Sequence, residues 1–155
     1  MTSIKYEDIF SLFLGEIEDP KLASLKQSQA YELMTEYLHK AIGEPYVRRL
    51  FSSLTLNDEL LKLDFELKYE TTDSSDEDFV IKILYKGMLV EWLTPQVRSK
   101  LNIAQMMTSN KESKFYSQAQ HLSELRGMLE DTKIELRQII SEHGFIYNTY
   151  LDEGS

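Results

Sequence analysis

The stretch FVIKILYKGMLVEWL, residues 79–93, is apolar on nearly every side if it coils into a helix. A helix of this kind is typical of the centre of a core or of an oligomer. Gly87 leaves a second interpretation open, because Lys86-Gly87 could instead turn a hairpin between two strands. In either case Thr94-Pro95 ends or kinks the segment. We therefore place residues 79–93 at the centre of the fold or of an assembly.

A polar, acidic loop, Thr71 to Asp78, precedes this stretch. Ser75 near its end can cap a helix whose first turn holds the acids at positions 76–78. Carboxylates of this kind could in principle bind calcium or magnesium, which prefer oxygen ligands. The loop lacks the residue order of a calcium-binding hand, and a capped helix start explains the acids fully. We therefore expect no metal site here.

Strict alternation marks the segment from Leu61 to Tyr69, where apolar residues occupy the odd positions and charged residues the even ones. This alternation predicts a strand with one buried face and one solvent-exposed face. A lone strand leaves its backbone groups unpaired, so it needs a partner. The candidates are Leu50 to Leu56, across a turn at residues 57–59, the tail Phe145 to Leu151, and a neighbouring subunit.

Helical spacing of apolar residues predicts a first helix over Tyr6 to Ile17, with Ser3 as its candidate cap. A second helix is predicted from Ser28 to Ile42, ended by Gly43. Residues Pro45 to Leu54 could form a further short helix, because proline suits a first helical turn.

The C-terminal part predicts one long helix. Ser109 and Glu112 have the spacing of a capping box, and an apolar stripe continues to about Ser141, before a stop at Gly144. Such a helix is about 45–50 Å long. Because that length exceeds what so small a chain covers, we expect part of it to face a neighbour.

The predicted fold class is mainly α: a helical bundle with one very long C-terminal helix and a small β element, a strand or hairpin around residues 50–70. A chain of 155 residues with 42% hydrophobic and 28% charged residues has the composition of a globular protein. We expect a single domain, residues 1–155. The acidic start of the chain does not resemble a signal peptide, and charges interrupt the longest apolar stretch, so we expect no membrane contact.

The net charge of −9 is concentrated in the middle of the chain. Residues 57–91 carry four basic and ten acidic side chains, a net −6, against −2 before them and −1 after them. Such a surface repels the phosphate backbone, so specific nucleic-acid binding is disfavoured. The simplest use of an acidic surface is solubility.

Residue patterns that carry chemistry are lacking in the sequence. His39, His121 and His143 have no metal-ligand spacing, and there are no cysteines to bind metal or form disulfides. The six glycines form no phosphate-binding loop, and no serine lies in a nucleophile elbow. We therefore expect no cofactor, no metal and no catalytic residue, and predict that the protein is not an enzyme.

Three stretches in the second half of the chain are distinctive together: VEWLTPQV at 90–97, LNIAQ at 101–105 and KFYSQAQHL at 114–122. With YEDIF at 6–10 they resemble small structural proteins encoded among the head and neck genes of long-tailed phages of Gram-positive hosts. The alternating segment Leu61–Tyr69 and its acidic loop have no counterpart in this resemblance.

The resemblance implies a structural virion component, a head-to-tail connector or neck adaptor that forms a ring between portal and tail. Its implied partners are copies of itself and the portal, tail or stopper proteins, with assembly in the host cytoplasm. DNA would only pass through, and an acidic bore would let it slide. Two alternatives stay open: an acidic regulatory or inhibitory protein-binding module, and another phage assembly factor.

Surplus apolar surface is expected in three places: the alternating strand, the long helix and the aromatic tail. Exposed aromatic and aliphatic side chains are typical of subunit contacts. The candidate interface residues are Leu63, Phe65, Leu67, Tyr69, Phe115, Tyr116, Leu122, Leu129, Phe145, Tyr147 and Tyr150.

Overall fold

The secondary structure consists of a small sheet and a set of helices that include two long ones. In the computed structural model the backbone is described for residues 2–17, 20–106 and 112–154, and the side chains for 2–17, 22–99 and 120–144. The elements in chain order are β1 (Thr2–Lys5), α1 (Tyr6–Glu16), α2 (Pro20–Ala23), α3 (Gln27–Gly43), α4 (Pro45–Arg48), β2 (Phe51–Asn57), β3 (Lys62–Leu67), α5 (Asp73–Met106) and α6 (Glu112–Gly154).

Helix α5 contains the apolar stretch 79–93 and packs against α6, α3, α1 and β1. The helical interpretation of this stretch is confirmed, and the hairpin at Lys86-Gly87 is wrong. The helix does not end at Thr94-Pro95, although Pro95 has no N–H to donate to the preceding turn. The Thr94 hydroxyl donates to the Val90 carbonyl at 2.7 Å. The prediction of one very long C-terminal helix therefore holds only in part, because α5 is long as well as α6.

The sheet is antiparallel with β3 in its centre, in the order β1-β3-β2. Alternation in β3 has the predicted effect: Leu63, Phe65 and Leu67 are buried, and the charged residues between them are partly or fully exposed. On the buried face Leu63 lies between Ile4 of β1 and Leu56 of β2. Both sides of β3 are therefore paired within the chain.

The predicted hairpin partner, Leu50 to Leu56, is confirmed by β2, with a bulge between Phe51 and Ser53. The tail Phe145–Leu151 is not a strand partner, because α6 continues through it to Gly154. The predicted short helix Pro45 to Leu54 is wrong beyond the turn of α4. Its second half joins the sheet because pairing with β3 satisfies its backbone groups and buries its apolar side chains.

The turn between β2 and β3 brings the hairpin against α1. The Asn57 side chain accepts a hydrogen bond from the Leu60 N–H at 3.0 Å. Leu61 adopts a left-handed backbone conformation, with φ of 54°. Its carbonyl accepts the Tyr6 N–H at 2.9 Å and so satisfies a free donor at the start of α1.

Several predicted helix ends differ from those observed. Ser3 lies in β1, where its hydroxyl bonds the Asp64 carboxylate, and does not cap α1. Helix α5 begins three residues earlier than expected from Ser75, and the Thr72 hydroxyl accepts the Ser75 N–H at 3.4 Å. Gly43 is the last residue of α3, as predicted, whereas Gly144 does not stop α6. The predicted cap Ser109 lies outside the described residues.

The core is continuous across the sheet and the helices. Helix α1 contributes aromatic side chains and α5 contributes its central apolar stretch. Helix α6 adds leucines one to two turns apart. The largest fully buried side chains are Tyr6, Ile9, Phe10, Phe13, Met34, Leu38, Leu63, Phe65, Ile83, Leu84, Met88 and Leu93.

Candidate functional site

A groove of about 760 Å³ lies where α4, α5 and α6 meet. We call it the cationic groove, because four of its side chains are basic. Its floor is formed by the apolar side chains that α5 and α6 turn toward each other. Its lining residues are Glu44, Tyr46, Arg49, Val90, Glu91, Thr94, Arg98, Lys133, Leu136, Arg137, Ile140 and Ser141.

The four cations of the groove come from separate elements. Arg49 follows α4, Arg98 lies on α5, and Lys133 and Arg137 lie on α6 one turn apart. Leu136 beside them is buried, so the packing of α6 on α5 turns this pair toward the groove. Within the described part of the chain none of the four makes an ion pair. The groove therefore presents cationic groups that no described ion pair neutralises.

Two carboxyl groups, those of Glu44 and Glu91, also line the groove. Burial, a hydrogen bond to Glu44 and the charge of Glu44 raise the pKa of Glu91, and Lys40 opposes them. Burial and the same two acids raise the pKa of Tyr46, while Arg137 lowers it. Against these two carboxyl groups the groove carries four basic side chains, so cations are in excess. The groove is thus suited to hold an anionic group.

An exposed acidic surface lies at the start of α5. We call residues 70–78 the acidic segment. They include Glu70, Asp73, Glu77 and Asp78, which are exposed or half-buried, and no basic residue lies between Lys68 and Lys82. None of these four acids makes an ion pair with a described residue. Part of the negative charge predicted for the middle of the chain therefore lies together on one exposed surface.

The remaining acids of residues 57–91 are divided among other places. Asp64 and Glu66 lie on the outer face of the sheet, and Glu91 lies in the groove. Asp76 is buried and its carboxylate accepts hydrogen bonds from the Thr71 N–H at 3.0 Å and the Thr71 hydroxyl at 2.6 Å. Asp76 therefore holds the chain at Thr71 against the first turn of α5. No group of three or more potential metal ligands is present among the described residues.

A second polar cluster joins α1, α3 and the β2–β3 turn. The Tyr6 hydroxyl donates to Asp58 Oδ1 at 2.6 Å, and His39 Nε2 lies 3.0 Å from Asp58 Oδ2. Burial, with the Asp58 hydrogen bond and charge, raises the pKa of Tyr6, and the Tyr6 hydrogen bond holds the pKa of Asp58 below its usual range. Neither group titrates near neutrality, so the cluster is suited to fastening the turn rather than to proton transfer.

His143 connects the C-terminal part of α6 to the start of α5. Its ring stacks on Phe79 with the ring centroids 4.0 Å apart, and its Nε2 lies 3.1 Å from the Tyr69 carbonyl. Of the three histidines without metal-ligand spacing, His39 and His143 thus make structural contacts.

The predicted interface residues fall into three groups. Leu63, Phe65 and Leu67, with Leu122 and Leu129 of α6, are buried within the chain itself. Their side chains are not on the surface, so we no longer assign them to a subunit contact; the chain's own core explains their apolar character. Tyr69 is 48% exposed and remains a candidate. The other predicted side chains lie outside the described ones: Phe115, Tyr116, Phe145, Tyr147 and Tyr150.

Sequence reasoning did not find the cationic groove. Arg49, Arg98 and Lys133 are far apart along the chain, and only the tertiary fold brings them together. One local signal was present, because Lys133 and Arg137 are four residues apart and so share a helix face. A basic pair on one face of a helix in an acidic chain indicates a local surface of opposite sign.

The chain matches no protein-family model, no curated protein and no solved structure. Among the helices of the described residues, none combines the length and the apolar character needed to cross a membrane.

Proposed function

We propose that the protein is a non-enzymatic structural subunit, a head-to-tail connector or neck adaptor of a tailed phage. In this role it assembles as a ring of its own copies between portal and tail or stopper proteins. DNA passes through the ring without specific binding, and the finished subunit resides in the virion. The resemblance of residues 90–97, 101–105 and 114–122 supports the class of particle.

The observation that carries the proposal is the length of the two C-terminal helices. At 1.5 Å per residue, the 34 residues of α5 and the 43 residues of α6 correspond to about 51 Å and about 65 Å. A compact chain of 155 residues has a radius of gyration of about 15 Å, or a diameter of about 40 Å. Helices this long extend past a domain of that size and need neighbours to cover them.

Helix α6 also presents apolar side chains away from its own core. Leu125, Leu129 and Leu136 are buried against the rest of the chain, whereas Met128 and Ile134 are 44% and 47% exposed. At 3.6 residues per turn, side chains six residues apart are about 120° apart around the helix axis, so Met128 and Ile134 offer two separate apolar points of contact to neighbours.

The sheet offers a second kind of contact at its edges. Its central strand β3 is paired on both sides within the chain, so β3 itself cannot take a strand from a neighbouring subunit. Strands β1 and β2 form the edges, and neither has a second strand partner within the described residues. An edge strand can add a strand from another subunit through backbone hydrogen bonds.

Particles made by the phage that encodes the chain test this proposal. An antibody to the chain, visualised by electron microscopy, should label the joint between head and tail. A nonsense codon in the gene should give DNA-filled heads and free tails that do not join, and the wild-type gene supplied in trans should restore joining. Intact particles made without the chain, or label elsewhere on the particle, would overturn the proposal.

A further inference from the structure

We infer that the cationic groove of one subunit receives the acidic segment of a second copy of the chain. This inference rests on the proposed function, because it names the surfaces through which copies of the subunit meet. Its starting point is that the chain carries two concentrations of opposite charge, and neither takes part in ion pairs among the described residues.

The two surfaces carry opposite charge, although the groove also holds the carboxyl groups of Glu44 and Glu91. The groove presents Arg49, Arg98, Lys133 and Arg137, and the acidic segment presents Glu70, Asp73, Glu77 and Asp78. In a chain with a net charge of −9, four convergent cations lack ion-pair partners in the described structure. The acidic segment of another copy supplies such partners, and because every chain carries both surfaces, they are present in equal numbers.

The spacing of the charges on the two surfaces also agrees. Lys133 and Arg137 are one helical turn apart on α6, and Asp73 and Glu77 are one helical turn apart on α5. At 1.5 Å per residue each pair is separated by about 6 Å along its helix axis. Two helices laid side by side can therefore bring both acids of one against both cations of the other.

Within one subunit no described ion pair joins the acidic segment to the cations of the groove. Asp78 and Arg98 lie on the same helix, twenty residues apart, which corresponds to about 30 Å along the axis of α5. A continuous helix does not bend back over that distance. The Arg98 end of the groove is therefore out of reach of the acidic segment of the same chain and is available to a second copy.

A contact between unlike surfaces has consequences for the form of the assembly. Each subunit uses its groove for one neighbour and retains its acidic segment for another. Such a heterologous contact produces a ring if the rotation between subunits closes, and an open filament if it does not. The same contact that joins two copies therefore continues to join further ones.

Site-directed cross-linking tests the contact directly, because the chain has no cysteine of its own. Ser74 lies in the acidic segment, Ser141 lines the groove, and both are exposed. A full-length chain with Ser74→Cys and Ser141→Cys, held at millimolar concentration in low salt, should form dimers and longer oligomers with a short bis-maleimide, counted by mass separately from any link formed within one chain. A matched chain with Ser74→Cys and Ser11→Cys, on the exposed face of α1, should remain largely monomeric.

Charge reversal provides the second test. Lys133→Glu with Arg137→Glu makes the groove acidic, and Glu77→Lys with Asp78→Lys makes the segment basic. Each double variant, introduced into the chain that carries cysteines at positions 74 and 141, should cross-link more than about tenfold less than its parent, because like charges then face each other. An equimolar mixture of the two variants should cross-link again, since each then offers the charge that the other lacks. Circular dichroism should show the same helical content in all of them.

The outcomes separate this inference from the proposed function. Cross-linking that is absent, or that survives both charge reversals and one molar salt, overturns the inference, since exposed charges are strongly screened at that ionic strength. In either case, label at the head–tail joint would leave the connector role standing with another contact surface.

Discussion

Gly87 of α5 lies directly against Ala41 of α3, and a Cβ atom placed on Gly87 would stand 3.0 Å from the Cβ of Ala41. Ordinary van der Waals contact begins at about 3.4 Å, so the two helices approach more closely here than two alanines allow. Gly87 lies in the interior of α5 and Ala41 in the last turn of α3, and the two helices pack against each other. The absence of a side chain at Gly87 therefore sets the distance between α3 and α5.

Replacement of Gly87 should destabilise the fold although alanine is the better helix former. The gain in helix propensity is about 1 kcal/mol, whereas overpacking of a core costs about 1–3 kcal/mol. We expect Gly87→Ala to lower the free energy of unfolding by about 1 kcal/mol, measured by urea denaturation. Gly127→Ala on α6 is the matched control, because its Cβ would meet nothing within 4 Å and should stabilise the chain.

A double variant decides whether the contact with Ala41 is the cause. Ala41→Gly removes the methyl group that an alanine introduced at position 87 would meet. The free energy of unfolding that Gly87→Ala/Ala41→Gly loses should therefore be smaller than the sum of the losses in the two single variants. Strict additivity of the two losses would place the origin of the Gly87 effect elsewhere.

Asp76 should matter for stability far more than its neighbour Asp78. Its buried carboxylate accepts the Thr71 N–H and hydroxyl, so Asp76→Ala leaves these donors without their partner. We expect a loss of about 1–3 kcal/mol in the free energy of unfolding, and a smaller loss for Asp76→Asn, which keeps an acceptor. The exposed Asp78→Ala should change it by less than about 0.5 kcal/mol. Equal effects at positions 76 and 78 would contradict the role of Asp76 as a fastener.

The Tyr6 hydroxyl should give stability a characteristic dependence on pH. Because the pKa of Tyr6 is raised above its ordinary 10.0, its contribution is complete below pH 10 and is lost as the pH rises further. The pKa of Asp58 is lowered below its ordinary 3.8, so its contribution is present above about pH 4 and is lost as the pH falls. The cluster should therefore stabilise the fold most between these limits.

Tyr6→Phe should lower the free energy of unfolding at pH 7 by about 1–2 kcal/mol, the value of a hydrogen bond to a charged group. It should also flatten the loss of stability above pH 10, measured by thermal unfolding across the pH range. Tyr31→Phe is the control, because the half-buried Tyr31 ring packs on Phe10 and none of the described hydrogen bonds involves its hydroxyl. A variant that lost stability above pH 10 as steeply as the wild type would count against the hydrogen bond.

Lys86 and Glu135 form an ion pair across α5 and α6, with Nζ and Oε2 2.5 Å apart. The Lys86 side chain is 14% exposed and the Glu135 side chain 50% exposed, so the pair is only partly screened. Glu135→Gln should lower the melting temperature in low salt, by the equivalent of about 0.5–1 kcal/mol, and less in high salt. Glu130 is an exposed residue of α6 without a described ion pair, so Glu130→Gln should leave the melting temperature unchanged in both low and high salt. A salt-independent loss would show that packing, not charge, is responsible.

The sequence pattern correctly predicted those helices and strands whose apolar residues recur at a regular spacing, whatever they pack against. The alternation in Leu61–Tyr69 predicted β3 and its buried face, and helical spacing predicted α1 and α3. Gly87 was ambiguous, because a glycine that permits close packing of helices and one that permits a turn have the same local sequence. Strand β1 was missed because the four residues Thr2–Lys5 are too few for a period and pair with a strand some sixty residues away.

The candidate site was less accessible from the sequence for a related reason. A single basic residue such as Arg49 or Arg98 carries no signal until the fold brings it to the others. Interface candidates in β3 were chosen because they are apolar, but the same property is needed for the core. Burial by the chain's own helices takes precedence, since it occurs in every molecule before any neighbour is met.

The central position of α5 also determines when the chain can fold during synthesis. Its partners come from both sides of the sequence, α1 and α3 before it and α6 after it. When the ribosome has made the first half of the protein, the apolar faces of α1 and α3 still lack the helix that covers them. Such contacts between distant residues slow folding and leave apolar surface exposed in the meantime. A nascent chain of this protein should therefore depend on chaperones until α5 has left the ribosomal tunnel.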